Sequence, residues 1–118
     1  MAADSVKQGF ALPRDKYGTP VPVMTPDVAN IVTASLTTSS TAEAQVHNGT
    51  SNFVYRVWSI GCAAYVRFGA TGMAAASSSA GFYVPDGSPI DVNVPKASNF
   101  VRAIAVSGSG TLRLERLV

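Results

Sequence analysis

Hydrophobic and polar residues alternate along most of the chain after residue 30, and this alternation is typical of β-strands. In residues 32–36 every second side chain is apolar, which predicts a half-buried strand beginning at Ile31. In residues 53–60 apolar side chains occupy both odd and even positions, so we expect this strand to be covered on both faces. Further strands are predicted at residues 44–47, 64–68, 81–84, 90–94, 100–107 and 110–117.

The last two predicted strands flank Gly108 and Ser109, and a glycine at the first of two central positions fits a β-hairpin turn. A hairpin turn of this length also fixes which residues lie opposite each other. Small side chains would then face large ones, and opposite charges would face each other. The expected pairs are Ala103 with Leu114, Ala105 with Leu112 and Arg102 with Glu115.

The other face of this predicted hairpin is too apolar to be left in water. It carries Phe100, Ile104, Val106 and Leu117. We expect these side chains to contact a second sheet of the same domain, the N-terminal segment or another chain.

Two regions of different character follow from the pattern. Seven or eight short strands with frequent turns predict an all-β domain over residues 31–118, an antiparallel, jelly-roll-like β-sandwich. Residues 1–30 contain four of the seven prolines, which favour extended backbone, and their charges cancel. Apolar residues are interspersed among them. This segment is predicted to be an extended Pro-rich arm, either flexible or ordered against another surface.

Small residues dominate the composition: Gly, Ala, Ser and Thr make up 49 of the 118 residues, while charged residues make up 14%. β-Branched residues outnumber helix formers, which disfavours a helical bundle or a coiled coil. The net charge of +2 is weak and the basic residues do not cluster, so we expect no nucleic-acid partner. A surface so poor in charge suggests that partners cover part of it.

Targeting signals and disulfides add little to this picture. No apolar run approaches the roughly 18 residues that suggest a membrane-spanning helix, and the first residues do not resemble a signal peptide. We therefore expect synthesis in the cytoplasm and no membrane partner. Cys62 is the only cysteine, so no intrachain disulfide can form.

Catalytic and metal-binding patterns are also weak. His47 is the only histidine, and neither Cys62 nor the carboxylates show ligand spacing around it. Cys62 fits a small buried side chain at the end of a strand better than a reactive thiol. Asp86 and Asp91 straddle a turn, where a turn role and a solvent-facing strand position explain them better than glycoside hydrolysis does. The sequence therefore predicts no catalytic, cofactor-binding or metal-ligating residue.

Five short segments form a series within about residues 53–117. They are residues 65–69 (YVRFG), 81–87 (GFYVPDG), 94–95 (VP), 100–105 (FVRAIA) and 108–110 (GSG), with an Ala/Ser-rich loop between the first two. This series resembles the cement or decoration proteins of tailed bacteriophages, especially those of short-tailed phages.

The resemblance implies a structural protein rather than an enzyme, with a jelly-roll-like β-sandwich and no cofactor. It implies a location on the outside of an icosahedral capsid in the virion, after synthesis in the host cytoplasm. The expected partner is the major capsid protein, and homo-oligomers, either dimers or trimers, are also expected.

Candidate contact residues lie in both regions of the chain. Apolar residues of the arm are the candidates for docking on the capsid, and apolar residues of the last two strands are the candidates for self-association. They are Phe10, Leu12, Tyr17, Val21 and Val23 in the arm, and Phe100, Ile104 and Leu117 in the body.

Two alternative functions stay open at this point. The first is a head–tail or tail component of the same kind of virion. The second is a carbohydrate- or receptor-binding β-sandwich that uses the loops around Trp58, Tyr83 and Asp86.

Overall fold

A computed structural model describes residues 24–118, which form two antiparallel sheets of four strands each, with a shared buried core between them. No helix occurs in this part of the chain. The predicted antiparallel β-sandwich is confirmed. Its strands are β1 (Pro26–Leu36), β2 (Ala44–Gln45), β3 (Phe53–Ile60), β4 (Ala64–Gly69), β5 (Phe82–Val84), β6 (Ile90–Val94), β7 (Phe100–Ala105) and β8 (Gly110–Leu117).

The strand order shows how the chain winds between the two sheets. The first sheet has the order β1-β8-β3-β6 and the second has the order β2-β7-β4-β5. Strand β1 therefore pairs with β8, β2 with β7, β3 with β6 and β4 with β5. This is the pairing of a long hairpin that is folded over both sheets, the jelly roll. The jelly-roll-like prediction is confirmed with it.

The first strand begins earlier than Ile31. Thr25 and Val118 exchange two backbone hydrogen bonds, of 2.9 and 2.8 Å, and Pro26 lies opposite Leu117. Four residues, 27–30, then form a bulge before the regular pairing resumes at Ile31. The prolines made this segment resemble part of the arm, but β1 is an edge strand, where proline is tolerated. Of the predicted arm, residues 1–23 lie outside the described residues.

The buried core takes side chains from both sheets. Tyr55, Val57, Leu112 and Leu114 come from the first sheet and are fully or almost fully buried. The second sheet contributes mainly small side chains. Its buried core residues include Ala64, Val66, Val84, Val101, Ala103 and Ala105. The abundant alanines therefore allow the larger side chains of one sheet to pack closely against the other.

The predicted hairpin between β7 and β8 is wrong, because these strands belong to different sheets. Residues 106–109 cross between the sheets, and the N–H of Val106 donates to the Ala63 carbonyl at 2.9 Å. Gly108 has a φ of +72°, as a tight turn requires, but the turn changes sheets instead of joining neighbouring strands. Ala103 and Leu114 share the core cluster without being cross-strand partners.

The expected charge pair of that hairpin is also absent. Arg102 lies opposite Arg67, and its guanidinium donates to the carbonyls of Thr41 and Met73 at 2.8 and 3.1 Å. Glu115 lies in the other sheet, where it forms an ion pair with Arg113 at 2.8 Å.

Candidate functional site

Residues 24–118 contain neither a candidate metal-binding cluster nor a candidate membrane-spanning helix. No group of three or more His, Cys, Asp or Glu side chains is placed to hold a metal ion within this range. The same residues include no helix of the length and apolarity needed to span a membrane.

Asp86 and Asp91, the two acidic residues that straddle the turn, both have structural partners. The Asp86 carboxylate accepts a hydrogen bond from the N–H of Gly61 at 3.0 Å and so links the β5–β6 turn to the end of β3. Asp91 forms an ion pair with Arg56 at 3.0 Å on neighbouring strands of the first sheet. Cys62 is buried, and its carbonyl accepts a hydrogen bond from the Ser59 hydroxyl.

The outward face of the second sheet carries an uncharged aromatic and aliphatic surface, here called the Tyr65 face: Tyr65, Tyr83, Ile104 and Val106. Tyr65 lies opposite both Tyr83 and Ile104 in the sheet. The two tyrosine rings meet edge to face, with their centroids 5.7 Å apart. About half of the surface of Tyr83 (51%) and of Val106 (48%) is exposed. Large apolar side chains are therefore left at the surface of the sheet.

A groove of about 480 Å³ runs along the Tyr65 face. The hydroxyl-bearing Thr38, Ser77 and Ser78 line it together with the apolar residues. None of the lining residues is charged. This composition suits an apolar contact with scattered hydrogen bonds better than the binding of an ion.

The neighbouring part of the same face is covered by residues 70–80. Arg67 and Arg102 lie opposite each other and donate to the carbonyls of Ala75 and Met73 in that loop, at 3.4 and 3.1 Å. The carboxylate of Glu43 accepts from the N–H of Gly72 at 2.8 Å. The loop thus uses the charged groups of this face, and its Ser77 and Ser78 border the Tyr65 face, where Tyr83 and Val106 stay exposed.

The predicted contact residues do not form one surface. Phe100 and Ile104 are half-buried residues of β7, on the side of the second sheet that faces away from the core. Leu117 is in the first sheet and is only 4% exposed. Their separation follows from the crossing of the chain between β7 and β8. Phe10, Leu12, Tyr17, Val21 and Val23 lie outside the described residues.

A polar pocket of about 410 Å³ lies at one end of the sandwich. We call it the Arg116 pocket. It is formed where β2, the following turn, β3 and the bulge of β1 approach the end of β8. Its lining residues are Asn30, Gln45, Val46, His47, Asn48, Thr50, Phe53 and Arg116.

Arg116 is held in this pocket by two aromatic side chains of β3. Its guanidinium carbon lies 3.9 Å above the centroid of the Phe53 ring, a cation–π contact. Its Nε donates to the Tyr55 hydroxyl at 3.3 Å, and that hydroxyl donates to the Val46 carbonyl at 2.7 Å. The orientation of the guanidinium is thereby fixed, and its two terminal nitrogens hydrogen-bond to no other described residue.

His47 forms the buried side of the Arg116 pocket. Its Nδ1 accepts a hydrogen bond from the N–H of Gly49 at 3.0 Å, so the neutral ring carries its proton on Nε2. Nε2 is buried and makes no hydrogen bond within residues 24–118. Burial lowers the pKa of His47; the charge of Arg116 acts in the same direction, and the Pro95 carbonyl opposes them.

Because the pKa of His47 is lowered on folding, we expect the free energy of unfolding to fall as the pH drops below about 6.5. The folded ring resists protonation, so this loss continues until the pH is below the folded pKa. His47→Asn keeps an acceptor for the N–H of Gly49 but cannot titrate, and its stability should depend less on pH between 7.5 and 5. Urea unfolding of both proteins across this range measures the difference. Parallel pH profiles would contradict the prediction.

The alternation of side chains along β8 is a sequence signal for the Arg116 pocket that no local motif contains. Leu112, Leu114 and Arg116 occupy every second position of β8, and the two leucines face the core. The same alternation directs Arg116 to the inner side of the sheet, where a charged side chain needs a special environment. His47 lines the same pocket but is distant in sequence, so no local motif joins the two residues.

Comparisons of the chain with protein-family models, curated proteins and solved structures found no match.

Proposed function

We propose that this chain is a structural virion protein that binds the outside of a phage capsid and cements neighbouring major capsid protein subunits. The observation that carries the proposal is the Tyr65 face, an uncharged surface with exposed tyrosine and aliphatic side chains. Surfaces of this kind mark contacts between proteins. The resemblance of residues 53–117 to phage cement proteins supplies the identity of the partner.

In this function the sandwich lies across a junction between capsid subunits, with the Tyr65 face against the shell. The Pro-rich segment before residue 24 contacts an adjacent subunit through its interspersed apolar side chains. Each contact buries a modest apolar area, at about 25 cal/mol per Å², but one molecule linking two subunits gains from multivalency. Many copies would then resist separation of the subunits without any covalent bond.

The test is co-sedimentation of the full chain with capsids of the phage that encodes it. We expect near-stoichiometric binding relative to the shell subunit, and capsids that withstand heating better when the protein is bound. A few copies per particle would instead indicate a head–tail or tail component. No sedimentation with capsids would exclude the proposed function.

Variants of the full chain test which surface is used. Val106→Ser on the Tyr65 face should weaken capsid binding by about tenfold, because an exposed apolar side chain is lost from the contact. Ile60→Ser is the matched control, since Ile60 is similarly exposed (45% against 48%) but lies in the first sheet. Equal binding by both variants would show that the Tyr65 face is not the contact.

The residues of the carbohydrate-binding alternative do not share one sheet face. Trp58 belongs to the first sheet, whereas Tyr83 belongs to the second. The Asp86 carboxylate accepts a hydrogen bond from the N–H of Gly61, and Asp86 forms a bridge with Ser59, the residue after Trp58. A site formed by the loops around these residues stays an alternative proposal.

A further inference from the structure

We propose that the Arg116 pocket binds the carboxylate of an acidic sugar, with Arg116 as the group that recognises the carboxylate. This site is separate from the Tyr65 face, and it does not depend on the proposed capsid function. The proposal rests on the fixed guanidinium, on the pocket lining, which contains no acid among residues 24–118, and on the hydrogen-bonding groups around it.

The guanidinium is arranged to receive a planar anion. Stacking on Phe53 and the bond from Nε to Tyr55 fix its plane, so that the terminal nitrogens are left for a ligand. Arginine binds carboxylates through two parallel N–H donors, and a fixed orientation reduces the entropy lost on binding. The volume of about 410 Å³ is within the usual range for small-molecule sites.

No acidic residue of the described chain lines the pocket. Hydrogen bonds from the N–H of Ala29 and the side-chain amide of Asn30 lower the pKa of the nearby Asp27, and the charge of Arg116 adds to this effect. Neither ion pair within residues 24–118 includes Arg116. Among residues 24–118, the charge of Arg116 thus lines the pocket without a carboxylate bound to it.

The other polar groups distinguish an acidic sugar from a simple anion. Asn30 and Gln45 each donate one amide N–H within the protein, and their carbonyl oxygens remain as acceptors. Asn48 uses its carbonyl oxygen to accept from Thr50, which leaves its NH₂ group as a donor. Acetate needs only donors and phosphate needs mainly donors, whereas the hydroxyls of a sugar use donors and acceptors together. A carboxylate bearing several hydroxyls therefore matches the pocket best.

The test titrates the full chain with D-glucuronate and follows binding by NMR or calorimetry. D-Glucose carries similar hydroxyls without the charge, and acetate and phosphate carry charge without the sugar. We expect saturable binding of glucuronate, and at least about tenfold weaker binding of each of the other three. If acetate or phosphate binds as tightly as glucuronate, the pocket is a general anion site. If glucose binds as tightly as glucuronate, the charge of the ligand does not contribute to binding. Either result, or no binding of glucuronate, overturns the proposal.

Two variants locate the binding. Arg116→Gln should weaken glucuronate binding by about tenfold or more, since a charge-assisted pair is lost. Arg113→Gln is the matched control, because Arg113 lies on the same strand but pairs with Glu115 outside the pocket. If Arg116→Gln fails to fold, Asn48→Ala at the exposed rim provides a milder test and should weaken binding. If a folded pocket variant binds glucuronate as tightly as the unaltered chain while Arg113→Gln binds it more weakly, the ligand lies outside the Arg116 pocket.

Capsid binding separates this site from the proposed function. Arg116→Gln should leave co-sedimentation with capsids unchanged, whereas Val106→Ser should leave glucuronate binding unchanged. If the chain binds glucuronate but not capsids, the result supports the sugar site and excludes the cement function. If it binds capsids but not glucuronate, the result supports the cement function and excludes the sugar site.

Discussion

Gly110→Ala should lower the free energy of unfolding by about 3 kcal/mol or more, the largest effect expected of any substitution considered. A β-carbon at position 110 would overlap the carbonyl oxygen of Ile60 and lie 2.8 Å from Sγ of Cys62. The Ile60 oxygen is part of the backbone, so it cannot turn away as the end of a flexible side chain can. Urea unfolding followed by the fluorescence of Trp58, the only tryptophan, measures the loss.

Gly108→Ala is the control for this prediction. Gly108 has a positive φ of +72°, but a β-carbon there would meet nothing within 4 Å. The substitution should therefore cost only the backbone strain, about 1–2 kcal/mol. Gly110 itself has no positive φ, so a loss no larger than that of Gly108→Ala would show that the neighbouring backbone moves to accommodate the β-carbon at little cost.

Leu114→Ala should lower the free energy of unfolding by about 2–5 kcal/mol. Leu114 is fully buried and lies opposite Val57 on one side and Val32 on the other, at the centre of the first sheet. Truncation would leave a cavity facing the second sheet, where the alanines of β7 are too short to fill it. The same urea experiment measures the midpoint and slope of unfolding.

Leu114→Met distinguishes lost volume from any change of the side chain. Methionine is similar in volume and flexible, so this variant should lose less than about 1.5 kcal/mol. A loss below about 1 kcal/mol for Leu114→Ala would mean that the core collapses around the missing atoms. Equal losses for Ala and Met would mean that the shape of the leucine, more than its volume, is required.

The sequence predicted the strands better than their partners. The apolar pattern located β3 and β6 at their observed bounds, because each is a short strand-like segment between turn residues. The chain bends at Gly108, but the hairpin predicted there is wrong, because residues 106–109 cross to the other sheet. A short Gly/Ser segment has the same composition whether it joins neighbouring strands or crosses a sandwich. The pairing of β8 is decided by distant residues, such as Ile60 and Leu36, that approach Gly110.

For the two candidate surfaces, too, the sequence indicated single residues but not which of them lie together. Tyr83 and Ile104 are visible in the sequence as outward residues of short strands, but β4 is needed to bring them together at Tyr65. The Arg116 pocket combines β8 with the turn around His47 and with the bulge that begins at Asp27. Local rules recognise the turn residues, whereas the pocket depends on pairings between the two ends of the described chain.

The strand order also has a consequence for the time at which the fold can form. Strand β1 pairs only with β8, and β4 and β5 are the only consecutive strands that pair within residues 24–118. Contacts so distant in sequence slow folding, typically to milliseconds or seconds. At roughly 5–20 residues per second of synthesis, β1 leaves the ribosome several seconds before its partner exists. During that interval the β1 segment has no partner for its backbone groups, and nascent chains on neighbouring ribosomes would compete with β8 for it.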